Sequence, residues 1–352
     1  MSVPDTSMRR RGLFEPPAIG QMATATKIVL YTILIVWATF VLFPIYWLLI
    51  TSFKDAAAVN RGPFFIPWVD FQPGLHAWKE LFVTDFEDTL RAYINSIIIA
   101  LSATGLSVLI GSMAAYALSR VEYAPNLITI LFFVFLLVMA GVSIGGFGVD
   151  WRLAAAVGVA LFFFLARAVG SIHQVSLHNG DILFWIISQR ILAPIVVVVP
   201  IYMMFQSVRM LDTHLALILT YCVVNMPIVV WLMYDFFNSI PRDLEESAQL
   251  DGATMIGTFR EIVLPLSRAG LAATTLLVMI LCWNEYLLAL FISTTKAQTM
   301  PILVAAMNAG ERGILWWTMS VAIVVMIIPV VVLAIVLQKY ISKGLLVGAV
   351  KG

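Results

Sequence analysis

Charge is scarce in this chain. Only 12% of its 352 residues are Asp, Glu, Lys or Arg, about half the share in an ordinary soluble domain. A water-soluble enzyme of this size is close to excluded. Lys and Arg number 21 against 20 Asp and Glu, so no positive excess marks a nucleic-acid partner. Cysteine is nearly absent: Cys222 and Cys282 lie inside apolar runs and read as packing residues, with no disulfide framework or metal site. The four histidines, His76, His173, His178 and His214, show no metal-ligand spacing. No Gly-x-x-x-x-Gly-Lys-[Ser/Thr] stretch occurs, so the chain is not expected to bind ATP by itself. Gly145-Gly146-Phe147-Gly148 lacks a following lysine and lies in an apolar run. No Ser/His/Asp or paired-carboxylate arrangement stands out, which leaves intramembrane hydrolysis little support. No cofactor or metal is expected.

What the chain has in abundance is apolar length: 61% of its residues are hydrophobic. A bilayer core about 30 Å thick takes about 20 apolar residues in a helix. Six uncharged runs qualify, Ile28–Ile50, Ala92–Ser119, Tyr123–Val149, Ile191–Val208, Leu215–Tyr234 and Gly313–Gln338. Ala269–Ser293 carries one charge, Glu285, and Leu153–Ile172 carries Arg167. The runs are long and lack period-2 alternation, which favours helices over strands. The expectation is an all-α integral membrane protein with about eight transmembrane helices.

Positive charge sets the expected direction. Arg9, Arg10, Arg11 and Lys27 precede the first run, and Lys339, Lys343 and Lys351 follow the last. Both termini are then cytoplasmic, which requires an even number of spans. Segment 1–27 is the cytoplasmic start, 28–50 the first span and 339–352 a cytoplasmic tail. Segment 51–91 holds charges of both signs and is long, so it is placed outside, where Pro63, Pro67 and Pro73 with Trp68 and Trp78 suggest an ordered cap. Arg9–Arg11 resemble a twin-arginine export signal only superficially, because the apolar run starts well downstream and lacks a small-residue cleavage site.

One segment breaks the apolar pattern. Residues 240–266 join two spans through Ile240-Pro241-Arg242-Asp243-Leu244-Glu245-Glu246-Ser247-Ala248-Gln249-Leu250-Asp251-Gly252-Ala253 and on to Ile262-Val263-Leu264-Pro265. A connection between antiparallel spans needs about 2–8 residues. Pro241 stops the preceding helix. Asp243 and Glu246 are spaced as a capping box, and Glu245 and Glu246 suit the positive end of a helix dipole. Gly252 supplies a left-handed turn. A second helix is expected from about Thr254 to Ile262, with Met255, Phe259 and Ile262 on one face. The result is a helix–turn–helix knob in the cytoplasm. It is either a solvated interfacial hairpin or a docking element for a soluble partner.

Here a resemblance becomes specific. Glu246-Ser247-Ala248, three residues, Gly252, nine residues, Ile262, one residue, Leu264-Pro265 resembles the EAA motif of ATP-binding-cassette importer permeases, with Ser247 in the place of the usual Ala. Leu250-Asp251-Gly252-Ala253 and Phe259-Arg260 look like the carbohydrate-uptake, MalG-like branch. So do Asn95-Ser96, Ala114-Ala115-Tyr116-Ala117, Pro200-Ile201-Tyr202, Leu211-Asp212-Thr213-His214, Trp283-Asn284-Glu285 and the final Gly348-Ala349-Val350-Lys351-Gly352. Such permeases usually have six spans. Within a core of 92–338 this chain carries an insertion, about 121–180, that looks like an added hairpin. Its Gly141-Val142-Ser143-Ile144-Gly145 matches a small-xxx-small packing face.

The resemblance implies a permease subunit of an importer for a sugar, oligosaccharide or polyol in the bacterial inner membrane. It implies a separate ATP-binding subunit, usually a dimer, a MalF-like second permease and an extracytoplasmic solute-binding protein. Glu245, Glu246, Ser247, Ala248, Asp251, Gly252, Ala253, Ile262, Leu264 and Pro265 would form the ATPase-coupling loop. Glu246 would fix and present the knob and Gly252 would shape its turn. Gly348, Lys351 and Gly352 would lie in a tail that contacts the ATPase.

Three polar residues inside spans are candidates for the pore or the sister subunit. Glu285 and its neighbour Asn284 line the pore or pair across subunits, or Glu285 reaches water at the outer end of its span. Asn225, near Pro227, marks a broken, pore-facing helix or a kink satisfied by its neighbours. Arg167 and Arg190 are expected to snorkel to an interface or to sit where the insertion packs. An ion-coupled secondary transporter is the alternative. It predicts internal repeats and several buried carboxylates, whereas no repeat is evident and Glu285 is the one carboxylate inside a run.

Overall fold

A computed structural model describes residues 22–124, 126–170, 177–308 and 315–349, with side chains except at 166–170 and 341–349. Arg9–Arg11, His173, Lys351 and Gly352 lie outside the described residues. Among those described, no strand occurs beyond one isolated bridge between Pro67 and Phe71. The helices are α1 (Thr24–Thr51), α2 (Ala56–Arg61), α3 (His76–Lys79), α4 (Phe86–Arg120), α5 (Leu127–Phe147), α6 (Trp151–Gly170), α7 (Asn179–Ser188), α8 (Pro194–Ser207), α9 (His214–Asn238), α10 (Asp243–Leu250), α11 (Met255–Thr258), α12 (Leu264–Leu266), α13 (Arg268–Trp283), α14 (Leu287–Ile292), α15 (Met300–Asn308) and α16 (Trp316–Ala349).

The all-α membrane architecture expected from composition is present. Five helices, α1, α4, α5, α9 and α16, are each long and apolar enough to cross a bilayer, and two bent pairs raise the number to seven, against the eight expected. The eighth expected run, Leu153–Ile172, falls largely in α6, a helix of 20 residues, and two of the seven are interrupted by breaks that hydropathy does not register. The run Ile191–Val208 is not one straight span: α8 has 14 residues, about 21 Å, which is short of a bilayer core. It meets Asn179–Ile191 at 90°. Pro194 opens α8 and forces Ala193 into extended backbone. The run Ala269–Ser293 is split likewise, because α13 ends at Trp283 and α14 starts at Leu287.

The chain divides into two compact units, Met1–Thr89 with Val304–Ile327, and Leu90–Leu303 with Ile328–Gly352. In the first, the segment after α1 is ordered by polar side chains that grip backbone. Lys54, 3% exposed, donates to the Phe64 carbonyl at 2.7 Å and lies 4.1 Å from the Trp47 ring. Burial pulls its pKa down, and the charge of Asp70 partly restores it. Asp70 accepts the amides of Phe65 and Ile66 at 2.7 and 2.8 Å. Glu80 accepts the Thr318 hydroxyl at 2.6 Å and the Trp317 indole N–H at 3.3 Å. Trp78 stacks on Phe53 and Phe82, whereas Trp68 is exposed.

In the second unit, α4, α9 and α13 form the core. Small residues let their backbones approach, as in membrane helix packing generally. A Cβ on Gly111 would lie 2.7 Å from Val229 Cγ1, and one on Gly270 would collide with the Phe236 ring. Ser107 donates to the Cys222 carbonyl at 3.3 Å, and Thr104 reaches the Met279 sulfur at 3.8 Å. Leu217, Tyr221, Val229, Met233, Val278 and Trp283 fill the interior. Cys222 and Cys282 are buried and free.

The inserted segment forms a helical hairpin. α5 ends at Gly148, whose φ of 65° favours a residue without a Cβ, and α6 starts at Trp151. Phe133 and Phe162 meet edge to face at 5.2 Å. No residue of α5 is buried. A Cβ on Gly141 or Gly145 would meet nothing within 4 Å, so their small-residue face has no partner within the described chain.

Candidate functional site

The polar segment between α9 and α13 folds as a helix, a turn and a second helix. α9 stops at Asn238, and Ser239 donates to the Phe236 carbonyl at 2.7 Å. The expected capping box is absent. α10 begins one residue earlier than that box requires. Arg242 is the N-cap, with no side-chain cap bond, and its carbonyl accepts the amides of Glu245 and Glu246 at 2.9 and 3.0 Å. Asp243 is therefore already helical, and it acts with Glu245 and Glu246 as negative charge in the first turn. Gly252 makes the turn at φ 90°. The Ala253 amide returns to the Ala248 carbonyl at 3.0 Å. Thr254 caps α11 by accepting the Gly257 amide at 3.1 Å.

Beyond α11 the register differs from a plain α-helix. Phe259–Val263 is a π turn, which inserts a residue. The fully buried positions are Thr258 and Val263, five apart, while Met255 is exposed. Phe259 packs on Tyr116 at 4.7 Å and Phe237 at 5.9 Å. α12, with Pro265, follows, and the stretch Met255–Leu266 meets α13 at 81°. Ile262, Leu264 and Pro265 are half-buried in this heel, as are Ala248 and Ala253 nearer the tip.

Glu246 does not fix the knob. It is exposed, as are Ser247 and Asp251, and the fixing residue is its neighbour Glu245, only 4% exposed. The Glu245 carboxylate accepts Arg120 Nε at 2.7 Å and the Tyr116 hydroxyl at 2.8 Å, and Arg120 Nη2 lies 2.5 Å from Oε1. The same guanidinium donates to the Phe237 carbonyl at 2.9 Å, and Arg242 donates to the Ser119 carbonyl at 3.2 Å. A buried carboxylate is tolerated only when paired and hydrogen-bonded, and this one is both. Arg120 had a visible signal: it ends the longest uncharged run, with Tyr116 one turn earlier on the same face. Which of the two adjacent glutamates turns inward depends on where α10 starts, and sequence placed that one residue late.

The tip is the reverse of its base. Leu250 is 89% and Ile256 76% exposed, beside Glu246 and Asp251. A cleft of about 480 Å³ beneath it is lined by Tyr116, Arg120, Arg242, Glu245, Glu246 and Gln249, among others.

A second polar cluster gathers at the other end of α4. The Asp212 carboxylate accepts the amides of Thr294, Thr295, Lys296 and Ala297 at 3.0–3.3 Å. Burial raises its pKa, but the amides of Ala297, Lys296 and Thr294 outweigh that and hold it at about 2, below the usual 3.8. Asn95 donates to the carbonyls of Lys296 and Gln298 at 2.8 and 2.9 Å, and its oxygen meets His214 Nε2 at 2.7 Å. Ser96 accepts the Met300 amide at 2.8 Å.

The three candidate pore residues separate. Asn225 is 5% exposed and donates to the Tyr221 carbonyl at 2.9 Å and the Cys282 sulfur at 3.4 Å. It lies inside a continuous α9 and does not open a broken helix. Arg190 reaches its oxygen at 3.4 Å. The break falls instead between α13 and α14. There Glu285, half-buried, accepts the Leu288 amide at 3.0 Å, and Asn284 and Tyr286 are exposed. Gly348 lies in the last turns of α16.

Comparison with known proteins agrees with this arrangement. Residues 180–347 match the family described as binding-protein-dependent transport system inner membrane component. The chain is 30% identical over 322 residues to the trehalose/maltose transport system permease protein MalG of Thermococcus litoralis, covering 90% of this chain and 94% of that one. It is 30% identical to the sulfoquinovosyl glycerol permease protein SmoH of Agrobacterium fabrum over 88% of this chain and 89% of that one. It is 29% identical to the trehalose permease protein SugB of Mycobacterium tuberculosis over 89% and 93%. Its fold resembles a chain of a bacterial ABC transporter involved in import of the acidic polysaccharide alginate, with a TM-score of 0.57, 21% identity and coverage of 90% and 96%. The chain is thus a multi-pass membrane transport component and belongs to the MalG-like permeases of ATP-binding-cassette importers.

Proposed function

We propose that the chain is one of two permease subunits of an ATP-driven importer for a sugar, oligosaccharide or polyol in a bacterial inner membrane. Both termini lie in the cytoplasm. A separate ATPase dimer grips the knob of residues 240–266, a MalF-like sister permease completes the pore, and an extracytoplasmic binding protein delivers the solute. The observation that carries this reading is the knob itself: a helix–turn–helix whose tip exposes Leu250 and Ile256 beside Glu246 and Asp251. Uncovered apolar side chains on a rigid polar elbow mark a protein-docking surface. ATP-driven closure of the ATPase dimer draws the knobs together and turns the spans from inward-open to outward-open, a rigid-body switch between two states. The sugar class rests on what MalG, SugB and SmoH are named for transporting.

Asn284 and Tyr286, exposed at the break between α13 and α14, face the pore or the sister subunit, because interrupted helices in transporters line cavities. Glu285 accepts the Leu288 amide in the first turn of α14, which favours a structural role. Gly348, Lys351 and Gly352 belong to a tail that reaches the ATPase. An ion-coupled mechanism has no observation of its own, since the one carboxylate inside a run is spent on a backbone amide.

The test is reconstitution with the ATPase and sister permease in vesicles. Solute-loaded binding protein is expected to stimulate ATP hydrolysis, and Gly252→Val to abolish the stimulation, because valine is strained at φ 90°. Full stimulation and assembly in the variant would show the knob assignment to be wrong.

A further inference from the structure

The two polar clusters share one helix. From Asn95 to Arg120, α4 runs 25 residues without a break, about 38 Å at 1.5 Å per residue. It contains no proline. Its buried positions, Asn95, Ser96, Ile99, Ala103, Ser107, Ser112, Ala115 and Ser119, recur at helical spacing along one face packed on α9 and α13. One end holds the knob through Arg120 and Tyr116 on Glu245. The other holds the 293–300 loop through Asn95 on Lys296 and Gln298 and through Ser96 on Met300. That loop is itself tied to Asp212 and, through Asn95, to His214.

We infer that α4 is the rod that carries displacement of the knob to the 293–300 loop at the opposite face, with Arg120 and Asn95 as its two positioning residues. An unbroken helix packed along its length moves as a body. The polar anchors are directional and short, so each end must follow the element it holds. The buried charge pair makes the inner grip hard to slip, since parting it would leave both charges unpaired out of water. Between the two anchors α4 packs through small residues, with the long contacts of Ser107 to the Cys222 carbonyl and Thr104 to the Met279 sulfur as weaker ties. The inference rests on the knob being the ATPase contact.

The experiment uses the complete reconstituted complex with Thr295→Cys as a reporter. Thr295 is exposed in the loop, whereas the native cysteines are buried. The readout is the labelling rate by a membrane-impermeant thiol reagent, with and without ATP trapped on a hydrolysis-blocked ATPase. In the otherwise unsubstituted complex the rate is expected to change by about fivefold or more, the lower end of ordinary allosteric coupling. Asn95→Ala is expected to keep assembly and basal ATP hydrolysis but lose that change. The paired Arg120→Gln with Glu245→Gln, which removes both charges and leaves none unpaired, is expected to lose the change as well. A full nucleotide response in Asn95→Ala or in the assembled paired variant overturns the rod. If the paired variant does not assemble, Asn95→Ala, remote from the knob, decides alone. Failure of the unsubstituted complex to bind the ATPase overturns the knob reading and the rod together, whereas binding with unaltered variant responses overturns only the rod.

Discussion

The two ends of α4 are fastened by different chemistry. At the Arg120 end, one guanidinium and one carboxylate, both nearly out of contact with solvent, carry the grip, with a tyrosine hydroxyl and the Phe237 carbonyl in support. At the Asn95 end no oppositely charged pair is needed. A carboxylate sits on four consecutive backbone amides, and an asparagine bridges two carbonyls and a histidine. The first design concentrates its strength in two side chains. The second spreads it over backbone that cannot be mutated away. Substitutions at the two ends are therefore expected to differ in size.

The largest effect is expected from Arg120→Ala. It leaves the buried Glu245 carboxylate without its partner, a loss of about 3–5 kcal/mol. Thermal unfolding of the purified chain should show it as the steepest single drop. An equal drop from Asp212→Ala would erase the distinction between the ends. Asn95→Ala comes next, at about 1–3 kcal/mol for buried groups left unsatisfied, read in the same assay.

Acid sharpens the comparison further. The Asp212 carboxyl is held at about 2 against 3.8 unfolded. Its contribution is fully present above pH 3.8 and is lost as pH falls through about 2. Unfolding temperature measured between those values should fall in the native chain, and Asp212→Asn should flatten that part of the fall. The smallest effect is expected in the inserted hairpin. Gly145→Ala meets nothing within 4 Å and should stay within about 0.5 kcal/mol. A large loss there would show that the hairpin packs against something beyond this chain.

Sequence revealed the membrane class, most of the helices and the family, because hydropathy and the Glu246…Gly252…Pro265 spacing are local signals. It did not reveal the breaks at Ala193 and at 284–286: Pro194 opens the second helix of one inside an uncharged run, and Asn284 and Glu285 at the other read as polar residues within a span. Asn225 left two readings, a pore-facing break or a kink satisfied by its neighbours, because polarity in a span is visible while its direction is not. The structure turns it toward Cys282. The choice between Glu245 and Glu246 hinged on a one-residue difference in where α10 starts, which rotates each side chain by about 100°. The contact of Glu245 with Arg120 spans 125 positions, far beyond any local pattern.

The most direct test of the central claim is a cross-link from the knob tip. With Glu246→Cys in the assembled complex, a short thiol-directed cross-linker added from the cytoplasmic side should join this chain to the ATPase subunit, and an impermeant reagent outside should not reach the site. Labelling of that cysteine from the outer face, with no ATPase adduct, would contradict the account.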